Sequence, residues 1–375
     1  MKILYVVAGL ALHGGVERVI VDRLNWIVEN SNCEILLLSV YQGSHPMAFH
    51  LDSRIKYRDL NICFYRLYQY SGLKRFICEY KMHRLFQERL ANEIRMFLPQ
   101  IIGLTRLDFV CDVIKASGDV PVIFESHSSC LYYKFENEKW YRRLRYFIWH
   151  SAVKRSRMVI ALTNADAAEW KKITSNVCII PNVVHYNETG HVSDCCSKTV
   201  IFVGRYSYQK DINSLLRIWK IVHQRHPDWQ LKMFGDYGDE QDTLVAYIRE
   251  LDMNIAVHEP TSDICKEYLN SSMLLLTSRY EPFGLVLTEA MSCGLPVVSF
   301  NCPYGPADII NDGVDGFLIA SGDVKTFSEK VCLLIENEEL RRKMGREGMQ
   351  SSQRFLASRV MPQWINLYNQ CMNTK

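Results

Sequence analysis

The feature of this chain that most restricts its fold is a repeating alternation. Short apolar runs are separated by longer stretches whose apolar residues recur every three or four positions. The runs are too short for helices and too uniformly apolar for strands with one wet face. They read as strands of parallel sheets covered on both sides by helices. Strands are expected at 2–8, 34–40, 55–60, 100–104, 120–125, 158–162 and 178–181 in the first half. In the second half they are expected at 199–204, 230–235, 255–258, 273–277, 296–300 and 316–319. Helices such as 16–29, 212–226, 239–251 and 325–337 fill the gaps.

A chain of 375 residues suits two such α/β domains. The stretch 185–198 is polar and aperiodic, and reads as the linker. The expected layout is one Rossmann-like domain over 1–190 and a second over 191–355. A terminal helix over 356–375 carries apolar residues at helical spacing (Val360, Trp364, Ile365, Leu367, Tyr368) and is expected to return to the first domain. Ligands of doubly wound sheets bind at the carboxyl ends of strands, so two facing domains would make a cleft.

Composition narrows the class. Hydrophobic residues make up 48%, which excludes a disordered chain. The 13 cysteines are odd in number and irregular in spacing, with no Cys-x-x-Cys, so they read as reduced residues packed as small hydrophobes rather than as a disulfide or zinc framework. No apolar run approaches the roughly 20 residues of a membrane span. The apolar start is followed by a glycine turn and reads as a first strand rather than a signal peptide.

The most informative string is Arg279-Tyr-Glu281-Pro-Phe283-Gly284-Leu285-Val-Leu-Thr-Glu289-Ala-Met-Ser-Cys-Gly294-Leu-Pro296. It reads as a strand end, a loop, and a buried helix from Leu285 to Gly294 with a proline stop. A buried helix carrying Glu289 needs a partner for the carboxylate, and a ribose diol would supply two hydroxyls. The amides around Phe283, Gly284 and Leu285 suit a phosphate, and Glu281 in the loop would reach a sugar hydroxyl. A capping glutamate and a solvated loop glutamate are the plainer alternatives. In Gly204-Arg205 through Lys210-Asp211, two cations flank the turn after a strand, a placement suited to a diphosphate or to plain solvated charges. Gly14-Gly15 after the first strand is either a phosphate-approach turn or an ordinary strand-to-helix turn. His127, in Glu125-Ser-His127 at another strand end, is either a sugar or phosphate contact facing the cleft or a structural histidine.

In order and spacing these strings resemble the GT-B fold retaining glycosyltransferases of family 4. Glu281 and Glu289 match the family's Glu-x7-Glu, Gly204-Arg205 with Lys210-Asp211 its Gly-Arg…Lys segment, and Gly14-Gly15 its amino-terminal glycine pair. Ile180-Pro181-Asn182, Gly235-Asp236-Tyr237-Gly238 and the segment from Gly305 to Gly316 extend the likeness. Asp211 stands where glycine is commoner and Asp308 where glutamate is. The resemblance implies catalytic roles for Arg205, Lys210, Glu281 and His127. Arg205 and Lys210 would neutralise the diphosphate leaving group, Glu281 would touch the donor sugar, and His127 would contact the sugar or acceptor. Glu289 would hold the ribose, and Gly14, Gly15, Phe283, Gly284, Leu285 and Gly235 would line the nucleotide. The family usually needs no metal, and no cofactor is expected beyond the nucleotide-diphosphate sugar, with UDP the expected nucleotide.

Charge is uneven. Residues 1–196 hold 25 Lys and Arg against 19 Asp and Glu, and 197–375 hold 19 against 22. The basic excess coincides with aromatics over 64–106 and 141–157. Such a surface suits an anionic membrane and an acceptor carried on a lipid diphosphate, at the cytoplasmic face, or else a solvated helix with a buried aromatic stripe. Nucleic acid is disfavoured by the small net charge of +3. A hexosyltransferase building surface polysaccharide or glycoconjugate is the leading expectation. An epimerase or phosphorylase on the same fold, and a non-catalytic nucleotide-sugar-binding partner subunit, are the alternatives. A dinucleotide oxidoreductase is disfavoured by the missing Gly-x-Gly-x-x-Gly.

Overall fold

The computed structural model describes residues 1–12, 14–128, 130, 140–184, 190–236, 247–248, 250–261 and 263–373. Two compact units result: 1–183 joined by 360–375, and 184–359. The helix expected at 239–251 lies largely outside the described residues.

The first unit is a seven-stranded parallel sheet with β1 Lys2–Val7, β2 Glu34–Ser39, β3 Lys56–Asp59, β4 Ile101–Leu104, β5 Val122–Glu125, β6 Met158–Ala161 and β7 Val177–Ile179, in the order β3-β2-β1-β4-β5-β6-β7. β1 and β4 are neighbours, paired from Ile3↔Ile101 to Val6↔Leu104. The strand order therefore reverses between them, which marks a crevice at their carboxyl ends. Consecutive strand residues are buried because both faces are covered, as in Leu4, Tyr5 and Val6. α1 Gly15–Asn30 buries Ile20, Val21, Leu24, Ile27 and Val28, one face of a 3.6-residue period, with Arg23 beside them. α2 Gly72–Phe97, α3 Val110–Ser117, α4 Trp140–Val153 and α5 Asn164–Lys171 follow. Phe86, Leu90, Ile102, Phe124 and Trp170 centre this core.

The second unit is a six-stranded parallel sheet of β8 Thr199–Val203, β9 Gln230–Phe234, β10 Ile255–His258, β11 Met273–Leu276, β12 Val297–Asn301 and β13 Gly316–Ala320, in the order β10-β9-β8-β11-β12-β13. Here the reversal falls between β8 and β11. The described helices are α6 Ile212–Arg225, α7 Ile264–Leu269, α8 Leu285–Ser292, α9 Gly305–Ile309, α10 Val324–Glu336 and α11 Glu338–Ser352. Phe202, Trp219, Leu231, Leu275, Val298 and Phe327 share the core, and Trp219 Nε1 donates to the Met253 carbonyl at 2.6 Å.

The described end of the stretch expected to be a linker is tied down. Ser193 donates from its amide to Cys293 and from its hydroxyl to Ser271, and Arg341 Nε donates to the Cys195 carbonyl. A polar segment without periodicity here satisfies its groups on the second unit instead of running free. The last helix, α12 Ala357–Asn373, groups from Val360 onward with the first unit. All thirteen cysteines are free thiols, and Cys130, Cys195, Cys293, Cys302, Cys332 and Cys371 are buried. No helix of the described residues is long and apolar enough to cross a membrane.

Candidate functional site

The second sheet gathers candidate residues at the carboxyl ends of its two central strands, where the order reverses. After β8 the chain passes Gly204 and Arg205, makes a short 3-10 turn over Tyr208–Lys210, and enters α6. After β11 it passes Thr277, Ser278 and Arg279 to Glu281. The two loops are laced together. The Arg279 amide donates to the Gln209 carbonyl at 2.8 Å, the Gln209 amide group to the Tyr280 carbonyl at 3.1 Å, and Thr277 Oγ1 to the Lys210 carbonyl at 2.9 Å.

This lacing brings Lys210 Nζ to 2.5 Å from Glu281 Oε1, which also accepts from Ser278 Oγ at 2.6 Å. The side chains are 14% and 6% exposed, so the pair is nearly dry. The sequence led to the expectation of Lys210 on a phosphate and Glu281 in an open loop. The structure shows Glu281 buried and paired with Lys210, because Gly204 has no side chain to keep the lysine stem away. A Cβ at Gly204 would stand 2.9 Å from Lys210 Cε. Arg205 is exposed, and among the described residues no carboxylate meets it. It is the candidate cation left open to an anion at this strand end.

The Glu281 loop is also fixed from its other side. The Glu281 amide donates to the Pro303 carbonyl at 3.2 Å, and the Gly305 amide to the Glu281 carbonyl at 2.8 Å. A Cβ on Gly305 would lie 1.6 Å from the Phe283 carbonyl oxygen, so only glycine fits. Gly284, at φ 105°, turns the chain into α8. Phe283 is buried on Phe355 with ring centroids 5.4 Å apart, and Leu285 begins the helix. The helix expected to run from Leu285 to Gly294 spans Leu285–Ser292. Its Glu289 is half-buried and accepts from Tyr268 Oη at 3.3 Å. The carboxylate is thus not isolated in the core, because one side of α8 stays open at that position. Burial, with the Glu281 charge adding, pushes the nearby Cys302 thiol up to about 12.

One departure noted in the sequence has a local explanation. Asp211 adopts φ 48°, the left-handed region that favours glycine and tolerates aspartate, and its carboxylate accepts from Arg279 Nη2 and Ser214 Oγ, both at 2.9 Å. Gly235, after β9, is pressed on the Gly204 carbonyl oxygen, 2.1 Å from where a Cβ would stand. Of Gly235-Asp236-Tyr237-Gly238, the last two lie outside the described residues.

In the first unit, Gly14 caps α1 with extended backbone, and Gly15 opens the helix. The Glu17 carboxylate folds back over Gly14, 2.3 Å from a would-be Cβ. His127 follows β5 and is buried, its Nε2 2.9 Å from Glu125 Oε2. Glu125 also meets Arg23 Nη2 at 2.7 Å and Tyr5 Oη at 2.8 Å. Burial alone would raise this carboxyl, but Arg23 and then His127 outweigh it and hold it at about 2. Sequence reasoning passed over Arg23 and Tyr5. The available signal was an arginine flanked by Val21 and Leu24 on the apolar face of α1. Separately, burial raises Asp166 to about 6, although it accepts from the Cys130 amide, Ser126 and Trp170.

Comparison with known proteins agrees with this fold. Residues 194–351 match the family model described as Glycosyl transferases group 1. The amylovoran biosynthesis glycosyltransferase AmsD of Erwinia amylovora is 27% identical over 387 residues, covering 98% of this chain and 99% of that protein. A Campylobacter jejuni enzyme named for α-1,4-N-acetyl-D-galactosaminyl transfer to a GalNAc-GalNAc-diNAcBac-PP-undecaprenol is 21% identical, covering 100% and 99%. Sucrose-phosphate synthase from Thermosynechococcus elongatus superposes with a TM-score of 0.83 at 16% identity over the whole of both chains. Anabaena HepE in complex with UDP and glucose gives 0.77 at 19%, covering 99% and 100%. The fold is GT-B, built from two Rossmann-like α/β units. The second unit carries a glycosyl transferases group 1 domain, in a chain whose full-length relatives are named glycosyltransferases.

Proposed function

We propose that this enzyme moves a hexose-type unit from a UDP-linked sugar, with retention of anomeric configuration, to a glycan or lipid-linked oligosaccharide in surface polysaccharide or glycoconjugate synthesis. The observation that carries the reading is the group at the β8/β11 reversal: an open Arg205, and a lysine and glutamate held rigidly by two laced loops. Breaking a sugar–phosphate bond builds positive charge at the anomeric carbon and negative charge on the diphosphate. Fixed cations where the negative charge grows stabilise that transition state more than the ground state. Arg205 would take the diphosphate as a fork, and Lys210 would give it a point charge. Glu281 positions the Lys210 ammonium through Oε1 and would contact a hydroxyl of the donor sugar. Glu289, half-open and already bonded to Tyr268, would hold the ribose diol. His127 would hydrogen-bond a sugar or acceptor hydroxyl. A metal has no part in this scheme. UDP is favoured by the HepE complex, and a lipid-diphosphate acceptor by the name of the Campylobacter relative.

The lipid-linked acceptor also agrees with the surface of the first unit. Leu73, Phe76, Ile77 and Tyr80 form a stripe at i, i+3, i+4 and i+7 on α2, and all are exposed, Leu73 by 75% and Phe76 by 68%. Leu144, Phe147 and Ile148 do the same on α4, and Arg145 on α4 is bonded to Glu79 on α2 at 2.9 Å. Residues 64–85 hold five Arg or Lys and one acid. Exposed apolar stripes framed by bases suit the headgroup region of an anionic bilayer. The enzyme would then work at the cytoplasmic face of the membrane.

A thermal-shift screen against nucleotide sugars tests the donor assignment. A bound donor at 100 times its dissociation constant stabilises by about 2.7 kcal/mol. Melting unchanged by every UDP sugar, GDP sugar and dTDP sugar would end the reading.

A further inference from the structure

Apart from His127, the buried groups of the first unit form one connected chain that the scheme above does not use. Glu125 Oε2 meets His127 Nε2 at 2.9 Å and Arg23 Nη2 at 2.7 Å, and Glu125 Oε1 meets Tyr5 Oη at 2.8 Å. Tyr5 Oη is in turn 2.5 Å from Tyr368 Oη on α12, and the Arg23 guanidinium lies 3.9 Å from the ring of Trp364 on the same helix. Glu125, Tyr5 and Tyr368 are almost wholly buried. An ionised carboxylate only accepts, and Glu125 is held ionised, so every partner must donate to it. Tyr5 therefore gives its proton to Glu125 and must accept from Tyr368. The hydrogens run one way, from the terminal helix through Tyr5 to Glu125. On the other side, the proton of the imidazole must sit on Nε2.

We infer that Glu125 is a positioning residue for His127, fixing its ring in the Nε2–H form so that Nδ1 accepts a hydrogen bond from a ligand hydroxyl, and that Tyr5 and Tyr368 hold Glu125 for this task. The identity of that ligand as a saccharide rests on the reading above. The tautomer does not. Burying an arginine–carboxylate pair gives little net stability compared with an apolar filling, which leaves orientation of the histidine as the use of the arrangement.

The test is 15N NMR of histidine-labelled full-length protein, with the His127 signal assigned by its loss in His127→Gln. The expected result is a single Nε2–H tautomer in the free protein, with the lock lost to a mixture in Glu125→Gln. An Nδ1–H ring or a fast-averaging ring in the unsubstituted protein would overturn the inference, and so would a Glu125→Gln protein that keeps the single tautomer. If that variant does not fold, the unsubstituted spectrum still decides. Adding the nucleotide sugar found by thermal shift should move Nδ1 and leave Nε2 in place. Movement of neither, with the tautomer intact, overturns the ligand contact of His127 while leaving donor binding standing. In turnover, Glu125→Gln should lower kcat roughly tenfold or more with the donor KM little changed, the pattern of a lost orienting group. Unchanged kcat would count against the positioning role.

Discussion

Lys210 and Glu281, 71 positions apart in sequence, meet with Nζ 2.5 Å from Oε1 at the point where the strand order of the second sheet reverses. The pair joins two residues that the sequence motifs treat as separate, one for the leaving group and one for the sugar. Each therefore sets the position of the other.

Lys210→Ala should lower turnover by about two orders of magnitude, the scale of losing one preorganised group that meets developing charge. It also strands Glu281 without its cation, and should cost roughly 3 kcal/mol of stability. Turnover within a few-fold of the unsubstituted enzyme, in a folded Lys210→Ala protein, would remove Lys210 from the scheme. Kinetics alongside a urea melt separates the two effects.

Gly305→Ala should destabilise the second unit by about 3 kcal/mol or more, since its Cβ would overlap the Phe283 carbonyl and one loop would have to move. Gly313→Ala meets nothing within 4 Å, so its cost comes only from its φ of 76° and should be smaller. Equal melting temperatures for the two variants would refute the close approach of the loops.

Asp211 sits at φ 48°. Asp211→Gly relieves that backbone while losing the Arg279 and Ser214 contacts, so the two effects offset and stability should change by about 1 kcal/mol or less. Asp211→Val puts a β-branched residue in the left-handed region and should cost about 1–3 kcal/mol. Chemical denaturation of both reads the difference.

Acid should weaken the first unit through Glu125. Its folded value of about 2 lies below the ordinary glutamate value, so its contribution is whole above about pH 4.5 and is lost as pH falls toward 2. The loss should total roughly 3 kcal/mol. Asp166 acts in the opposite sense: raised to about 6, it favours folding at low pH and weakens it as pH climbs from about 4 to 6. Melts of Glu125→Gln against the unsubstituted protein between pH 2 and 5 isolate the first effect. Parallel curves would refute it.

Flotation with vesicles containing anionic lipid tests the exposed stripes. The unsubstituted protein should float and Phe76→Ser with Phe147→Ser should not, while binding to neutral vesicles should be weak for both. No association of the unsubstituted protein with anionic vesicles would end the membrane reading.

The alternation of apolar runs was enough to read the central strands, because a strand covered on both faces must be apolar at successive positions, and that requirement is local; the edge strand β3, Lys56–Asp59, is alternately exposed and has no such run. The turn at Gly284, before a helix, was legible for the same local reason, whereas the close approach of Gly305 to the Phe283 carbonyl shows only in the structure. The sequence by itself could not tell which charges meet, since Lys210 reaches Glu281 only after β8 and β11 become neighbours. Nor could it tell that α12 brings Tyr368 to Tyr5, 363 positions away. Both contacts join segments whose separation along the chain carries no periodic signal. Tertiary packing alone decides whether a charged residue ends in water, on a ligand or on another charge, because the cost of burial is set by the partner that arrives with it.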